Sequence, residues 1–216
     1  ETKQDCATFH AVDIEKALLF GQTYSGTRNN FPFRCMNGLI NYINQNAAGN
    51  ITTLGATTTY TQFEAATDPV FQQVTDPKSP NERLMFVGGV ARRVIHSIAR
   101  LNSTYMVNDQ TTEWGLQFDT IKIPRGRFNL VEHPLFNAFG SSAAWAKMAV
   151  IIDLPSFGTA YMRGRKTQAR DFNMGGQPVD NGVDAVGGTL TTEMTCLVKN
   201  VPANGQLLNF TAGAVG

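Results

Sequence analysis

The run Glu113-Trp114-Gly115-Leu116-Gln117-Phe118-Asp119-Thr120-Ile121-Lys122-Ile123-Pro124-Arg125-Gly126 constrains this chain more than any other stretch. Its aromatic and β-branched residues recur at a spacing of two, which suits half-buried strands and does not suit an amphipathic helix. Leu116 and Phe118 share one parity and Ile121 and Ile123 the other, so a bulge is expected near Asp119-Thr120. Pro124-Arg125-Gly126 is turn chemistry that returns the chain into a further strand at Phe128 to Val131. Far downstream, Glu193-Met194-Thr195-Cys196-Leu197-Val198-Lys199-Asn200 places Met194, Cys196 and Val198 on one face and Glu193, Thr195 and Lys199 on the other. Ala149 to Leu154 reads as a strand buried on both sides, and Ala160 to Arg165 as an alternating one. A glycine-rich loop, Asp171 to Gly188, lies between these later strands.

Helical spacing appears elsewhere. Ala7, Ala11, Ile14 and Leu18 share one face of a first helix that is predicted to end at Gly21 in the left-handed conformation. That face reaches the first residues without a cap, so Glu1 is expected inside the helix or at its frayed end. Asn37 to Gln45 forms a second, shorter helix. Thr61-Gln62-Phe63-Glu64 reads as a capping box ahead of the stripe Phe63, Ala66, Val70, Phe71 and Val74, which Pro69 kinks or splits. Arg83 to Val87 is a buried strand, and Gly88-Gly89 leads into a helix lined by Val90, Val94, Ile98 and Leu101, followed by a strand at Thr104 to Val107. The fold class is therefore α+β.

The 18 Lys and Arg residues stand against 17 Asp and Glu, a net charge of +1 that leaves no chain-wide footprint for nucleic acid. Cys6, Cys35 and Cys196 lack C-x-x-C spacing, which argues against a disulfide framework or zinc site and for a reducing compartment. No apolar run approaches the roughly 20 residues of a spanning helix. Cys6 and His10 stand one helical turn apart, but no third ligand accompanies them. His96 and His133 read as packing or surface residues, because no serine or cysteine sits in a nucleophile-type motif. Gly88-Gly89 lacks the other glycines of a dinucleotide fingerprint and the Lys-Ser/Thr of a P-loop, and reads as close strand-to-helix packing. Asp171, Asp180 and Asp184 do not have the spacing of a calcium loop. No cofactor or metal is expected. The densest cationic segment is Arg163, Arg165, Lys166 and Arg170, a candidate contact to an acidic neighbour or to nucleic acid, with Arg163 and Arg165 on one face of a strand.

Three segments carry a family resemblance. Asp13-Ile14-Glu15-Lys16-Ala17-Leu18-Leu19-Phe20-Gly21 resembles the end of a long spine helix, and Arg34-Cys35-Met36-Asn37-Gly38-Leu39-Ile40-Asn41-Tyr42-Ile43 is similar to the segment that follows it. Glu193 to Asn200, Ala203-Asn204-Gly205-Gln206 and Leu208 resemble a closing strand and its turn. On these segments the chain resembles tailed-bacteriophage major capsid proteins. The resemblance implies a peripheral domain, built from the spine helix and long antiparallel strands, and an axial domain in which helices flank a sheet. Residues 1–25 and 158–202 would be peripheral, residues 26–157 axial, and residues 203–216 a tail returning to the axial domain. The N-terminal arm and extended loop that precede the spine helix in that family are absent from this sequence, so it is expected to be monomeric or weakly associated in dilute solution.

The function implied is structural: self-assembly, through hexamers and pentamers, into an icosahedral virion shell around double-stranded DNA, in the host bacterial cytoplasm. No catalytic residue, small-molecule substrate or membrane is implied. An encapsulin-like compartment is the nearest alternative. A β-rich carbohydrate-binding or hydrolase domain using Trp114, Trp145 and the loop carboxylates is the alternative from another class.

Overall fold

The computed structural model describes residues 3–55, 57–78, 81–101, 107–113, 116–138, 143–171 and 188–211. In chain order the elements are α1 (Lys3–Phe20), β1 (Tyr24–Arg28), β2 (Phe31–Cys35), α2 (Leu39–Asn46), β3 (Ile51–Thr53), α3 (Tyr60–Thr67), β4 (Glu82–Val87) and α4 (Gly89–Leu101). There follow β5 (Val107–Glu113), β6 (Leu116–Ile123), β7 (Gly126–Glu132), α5 (Pro134–Ala138), α6 (Ala143–Ala146) and β8 (Ala149–Ile152). The last are β9 (Phe157–Tyr161), β10 (Gln168–Asp171), β11 (Gly188–Thr191), β12 (Met194–Val198) and β13 (Gly205–Leu208). The chain divides into two units, each assembled from separate stretches of sequence. The first comprises Glu1–Gly38 and Thr159–Leu197, the second Leu39–Gly158 and Val198–Gly216.

The second unit holds a seven-stranded mixed sheet of order β3-β13-β8-β4-β7-β6-β5. β4 runs parallel to β7 and β13 parallel to β3, while the remaining neighbours are antiparallel. β8, all four of whose residues are buried, occupies the middle beside β4. Val94, Ile95 and Ile98 of α4 and Phe63 of α3 close over Met85, Ile121, Phe128 and Leu207 of the sheet. Each such side chain contributes roughly 1.5–3 kcal/mol when fully buried.

The structure alters several sequence expectations here. The capping box sits two residues earlier than read: Thr59 Oγ1 accepts from the Gln62 N–H, and Gln62 Oε1 accepts from the Thr59 N–H. The helix does end before Pro69, at Thr67, and a 3₁₀ turn, Asp68–Phe71, follows it. The irregularity between β5 and β6 falls on the β5 side, between Asn108 and Thr111, opposite Thr120 and Phe118. Leu101, placed on the apolar stripe, is 70% exposed at the end of α4, where the buried stripe is Ala91, Val94, Ile95, Ile98 and Ala99. Of the expected strand Thr104 to Val107, only Val107 is among the described residues, and it opens β5.

The first unit contains α1, the β1–β2 hairpin, the β10–β11 ladder and most of the β9–β12 pair. Asn29 and Asn30 turn the β1–β2 hairpin with φ of 52° and 64°, the left-handed geometry that a two-residue turn requires. Gly21 follows α1 as expected but not in a left-handed conformation; its requirement is space. A Cβ there would lie 2.8 Å from the Met36 carbonyl oxygen, and one on Gly38 would lie 2.4 Å from the Gly21 nitrogen. The Gly38 N–H donates to the Gly21 carbonyl at 2.8 Å. Glu1 lies outside the described residues, and α1 starts at Lys3.

Candidate functional site

Strand β9 stops at Tyr161, so Arg163 and Arg165 do not share a strand face as expected. The chain turns because Gly164 takes φ +75°, which a β-carbon would disfavour, and the Arg165 N–H closes the turn on the Met162 carbonyl at 2.9 Å. Arg163, Arg165 and Lys166 are all exposed. Arg165 Nη1 pairs with Glu193 Oε1, and the Lys166 ammonium sits 5.5 Å from the centre of the Tyr161 ring. Arg170 belongs to β10, opposite Thr189 of β11. The four cations thus follow one turn and the strand after it. The side chain of Asp171, and Asp180 and Asp184 altogether, lie outside the described residues.

Unit two carries several ion-pair groups, two of them centred on Arg92 and on Arg83. On α4, Arg92 Nη2 and Nε donate to Asp119 Oδ2 at 2.5 and 3.0 Å, and Arg92 Nη1 donates to Glu132 Oε2 at 3.0 Å. Hydrogen bonding to Asp119 holds the guanidinium's proton more tightly than usual. Hydrogen bonds from Arg92 and Asn137 hold Glu132 below the ordinary carboxylate range. His96 Nε2 joins this group, 3.1 Å from Asp119 Oδ2.

The other group is buried and was missed in the sequence. Arg83 Nη1 lies 3.2 Å from Asp153 Oδ1, and both side chains are 1% exposed. Arg83 Nη2 donates to the Gln73 carbonyl at 2.8 Å, and its guanidinium lies over the Phe71 ring at 5.3 Å. Burial lowers the affinity of Arg83 for its proton, and the Asp153 charge opposes that. The signal available in the sequence was a lone charge at one end of each of two apolar strands, Arg83 and Asp153.

His133, Gly88 and Trp145, also weighed in the sequence, have packing roles. His133 lies edge-on to Phe86 and accepts from the Leu135 N–H at 3.3 Å. His10 Nε2 contacts Thr192 Oγ1 at 2.7 Å, while Cys6 is exposed. A Cβ on Gly88 would meet the Ala146 carbonyl oxygen at 2.5 Å, which is the close approach read from the sequence. Trp145 stacks on Phe136, and Trp114 is outside the described residues. Among the described residues no group of three or more His, Cys, Asp or Glu side chains is arranged to hold a metal ion. No helix among them is long and apolar enough to cross a membrane.

Comparison with known proteins gives concordant results. The SU10 major capsid protein family matches residues 1–211. The major capsid protein of Pseudomonas phage PaMx41 is 33% identical over 211 residues, covering 93% of this chain and 50% of that protein. A chain of the satellite phage P4 procapsid that includes the size determination (Sid) protein superposes with a TM-score of 0.51 at 12% identity, covering 97% of this chain and 60% of that chain. This likeness shows the fold, an α+β arrangement of the tailed-phage capsid type. The chain spans about half the length of the curated relative it matches.

Proposed function

Because this chain belongs to the SU10 major capsid protein family, we propose that it acts as a structural shell subunit, binding further copies of itself instead of turning over a substrate. One observation carries the reading beyond family membership. Of the ten large apolar side chains left exposed among the described residues, seven belong to the first unit: Phe9, Tyr24, Phe31, Phe33, Tyr161, Met162 and Leu197. Val74, Leu101 and Leu154 are the three in the larger second unit. Phe31 at 74% and Phe9 at 65% exposure are side chains that a finished surface rarely carries in such a concentration. Repeated copies of one subunit bury such surface in a shell, where many weak contacts sum.

In this reading the first unit is the peripheral domain and the second the axial domain. Their discontinuous makeup supports this, since a helix and a group of strands distant in sequence form one unit, while most of the sequence between them forms the other. The shell is built of hexamers and pentamers, encloses double-stranded DNA and forms in the cytoplasm of a bacterial host. Arg163, Arg165, Lys166 and Arg170 meet acidic groups of a neighbouring copy or phosphate on assembly. The encapsulin-like alternative draws no support from the family match. The carbohydrate-binding alternative loses one of its aromatic residues, since Trp145 is stacked on Phe136.

The test is Phe31→Glu in the whole protein. Particles should fail to form while the thermal midpoint stays within a few degrees of the parent. Particle yield unaffected by this change would remove the exposed apolar surface from the account.

A further inference from the structure

The turn between β6 and β7 carries a conflict that a fold selected for stability alone would avoid. Lys122 stands directly opposite Arg127 in the antiparallel register. Like charges in that relation destabilise a sheet, and an acidic residue on either strand would remove the repulsion. The row continues across β7 to β4, where Arg127 faces Glu82. That carboxylate is committed twice, accepting from Arg127 Nη2 at 2.6 Å and from Asn129 Nδ2 at 2.7 Å. Arg125 Nε lies 3.1 Å from Asp68 Oδ1. Lys122 and Lys78 form no ion pair among the described residues, and both are exposed.

Lys78, Asn81, Glu82, Lys122, Arg125 and Arg127, among others, line one shallow, open cleft of about 400 Å³. Its walls are fixed by backbone. The Arg127 N–H donates to the Asn81 carbonyl at 2.8 Å, and a Cβ on Gly126 would lie 2.4 Å from that same oxygen. Only glycine lets the chain before β4 run this close to the β6–β7 turn. The lining holds four cations and one carboxylate, Glu82, a charge of +3, and Asp68, which pairs with Arg125 from outside the lining, brings the group to +2.

We propose that this cleft is a phosphate-binding site whose ligand is the backbone of double-stranded DNA. Local conflicts with the fold's own interest concentrate where function requires them. The lining favours phosphate over an acidic protein surface: protein interfaces are anchored by aromatic and arginine side chains in desolvated pockets, whereas no aromatic residue lines this cleft and its arginines and lysines are exposed. Contact to a phosphate backbone needs only exposed lysine and arginine donors held in place, and it carries no sequence preference. The shell reading enters only in the choice of DNA as the source of the phosphate.

The experiment is titration of a fluorescein-labelled duplex with the 216-residue chain, between about 50 and 200 mM salt. For Lys78→Gln with Lys122→Gln, two phosphate contacts are lost, so the slope of log K against log salt should shrink by about 2. The thermal midpoint should hold or rise, because the repulsion on Arg127 is relieved. Lys199→Gln, exposed and remote from the cleft in the sequence, should leave the slope unchanged. An unchanged slope in the double variant overturns the proposal. So does poly-glutamate binding that is lost in the double variant while the duplex does not bind, which would assign the cleft to an acidic protein segment. Particles formed normally by the double variant would leave the shell reading intact in either case.

Discussion

Arg83 and Asp153 form an ion pair at 3.2 Å in the middle of the second unit, with each side chain 1% exposed. The register that sets Leu84 against Ile152 continues to place Arg83 opposite Asp153, so the two charges meet wherever β4 and β8 pair correctly. Asp153 also fixes the chain beyond β8: its N–H donates to Asn204 Oδ1 at 2.9 Å, and its carbonyl accepts from Ser156 Oγ at 2.8 Å. A strand slip by one residue would leave both charges buried and apart.

Removing one partner should therefore be far worse than removing both. Arg83→Met leaves Asp153 buried without its counter-charge and should cost about 3–5 kcal/mol, while Arg83→Met with Asp153→Leu should recover most of that. Denaturant melts of the two variants check this. Equal losses would show that Asp153 left without its counter-charge carries no penalty of its own.

Much of this core was legible in the sequence, and the reasons differ by element. β4, α4 and β8 follow from apolar spacing alone, because each is short, strongly patterned and bounded by Gly88-Gly89 or by a charge. The capping box was legible in type but not in place. Thr59 to Gln62 and Thr61 to Glu64 both fit the spacing, and the structure uses the first, directly after Thr58, whose backbone and hydroxyl bond to Thr211. The end of β9 was illegible because alternation continues through Arg163 and Arg165, while the left-handed Gly164 between them breaks the strand. The Arg83–Asp153 pair required knowing that strands β4 and β8 are neighbours, which no local pattern states. The cationic segment was found from composition, and its exposure in a turn follows from Gly164.

Gly38→Ala should weaken the first unit. Its new Cβ would lie 2.4 Å from the Gly21 nitrogen and 2.8 Å from the Leu19 carbonyl oxygen, both backbone atoms that cannot rotate away. Overpacking of this kind costs about 1–3 kcal/mol. Gly49→Ala is the control, since nothing lies within 4 Å of a Cβ there. Indistinguishable thermal midpoints for the two variants would refute the close-approach argument.

Acid should act through Glu132 and Glu82. Hydrogen bonds from Arg92 and Asn137 lower the first. Burial would raise the second, but its bonds from Arg127 and Asn129 and the Arg127 charge outweigh that and lower it. A carboxylate lowered on folding stabilises the native state fully above its ordinary value of 4.5, and that contribution disappears as pH falls through the lowered folded value. Thermal midpoints should thus be level down to about pH 5 and then decline, with Glu132→Gln showing a shallower decline. An identical acid limb in Glu132→Gln would contradict the assignment.

Thiol chemistry should separate the three cysteines. Cys6 and Cys35 are exposed, whereas Cys196 is fully buried and its thiol is pushed up to about 11. A disulfide reagent at neutral pH should label the first two quickly and the third only after denaturation. Fast labelling of Cys196 in the native chain would show that the strand pair around it opens readily.

The central claim is that this chain is part of a self-assembling shell, and electron microscopy of the whole protein tests it most directly. Closed particles should form from the parent. They should form poorly from Arg163→Glu with Arg165→Glu, whose subunit melting temperature should stay nearly unchanged, because the exposed Arg165–Glu193 pair is worth roughly 0 to 1 kcal/mol. A parent protein that remains a dispersed monomer at every concentration, with no rings or shells, would contradict the account.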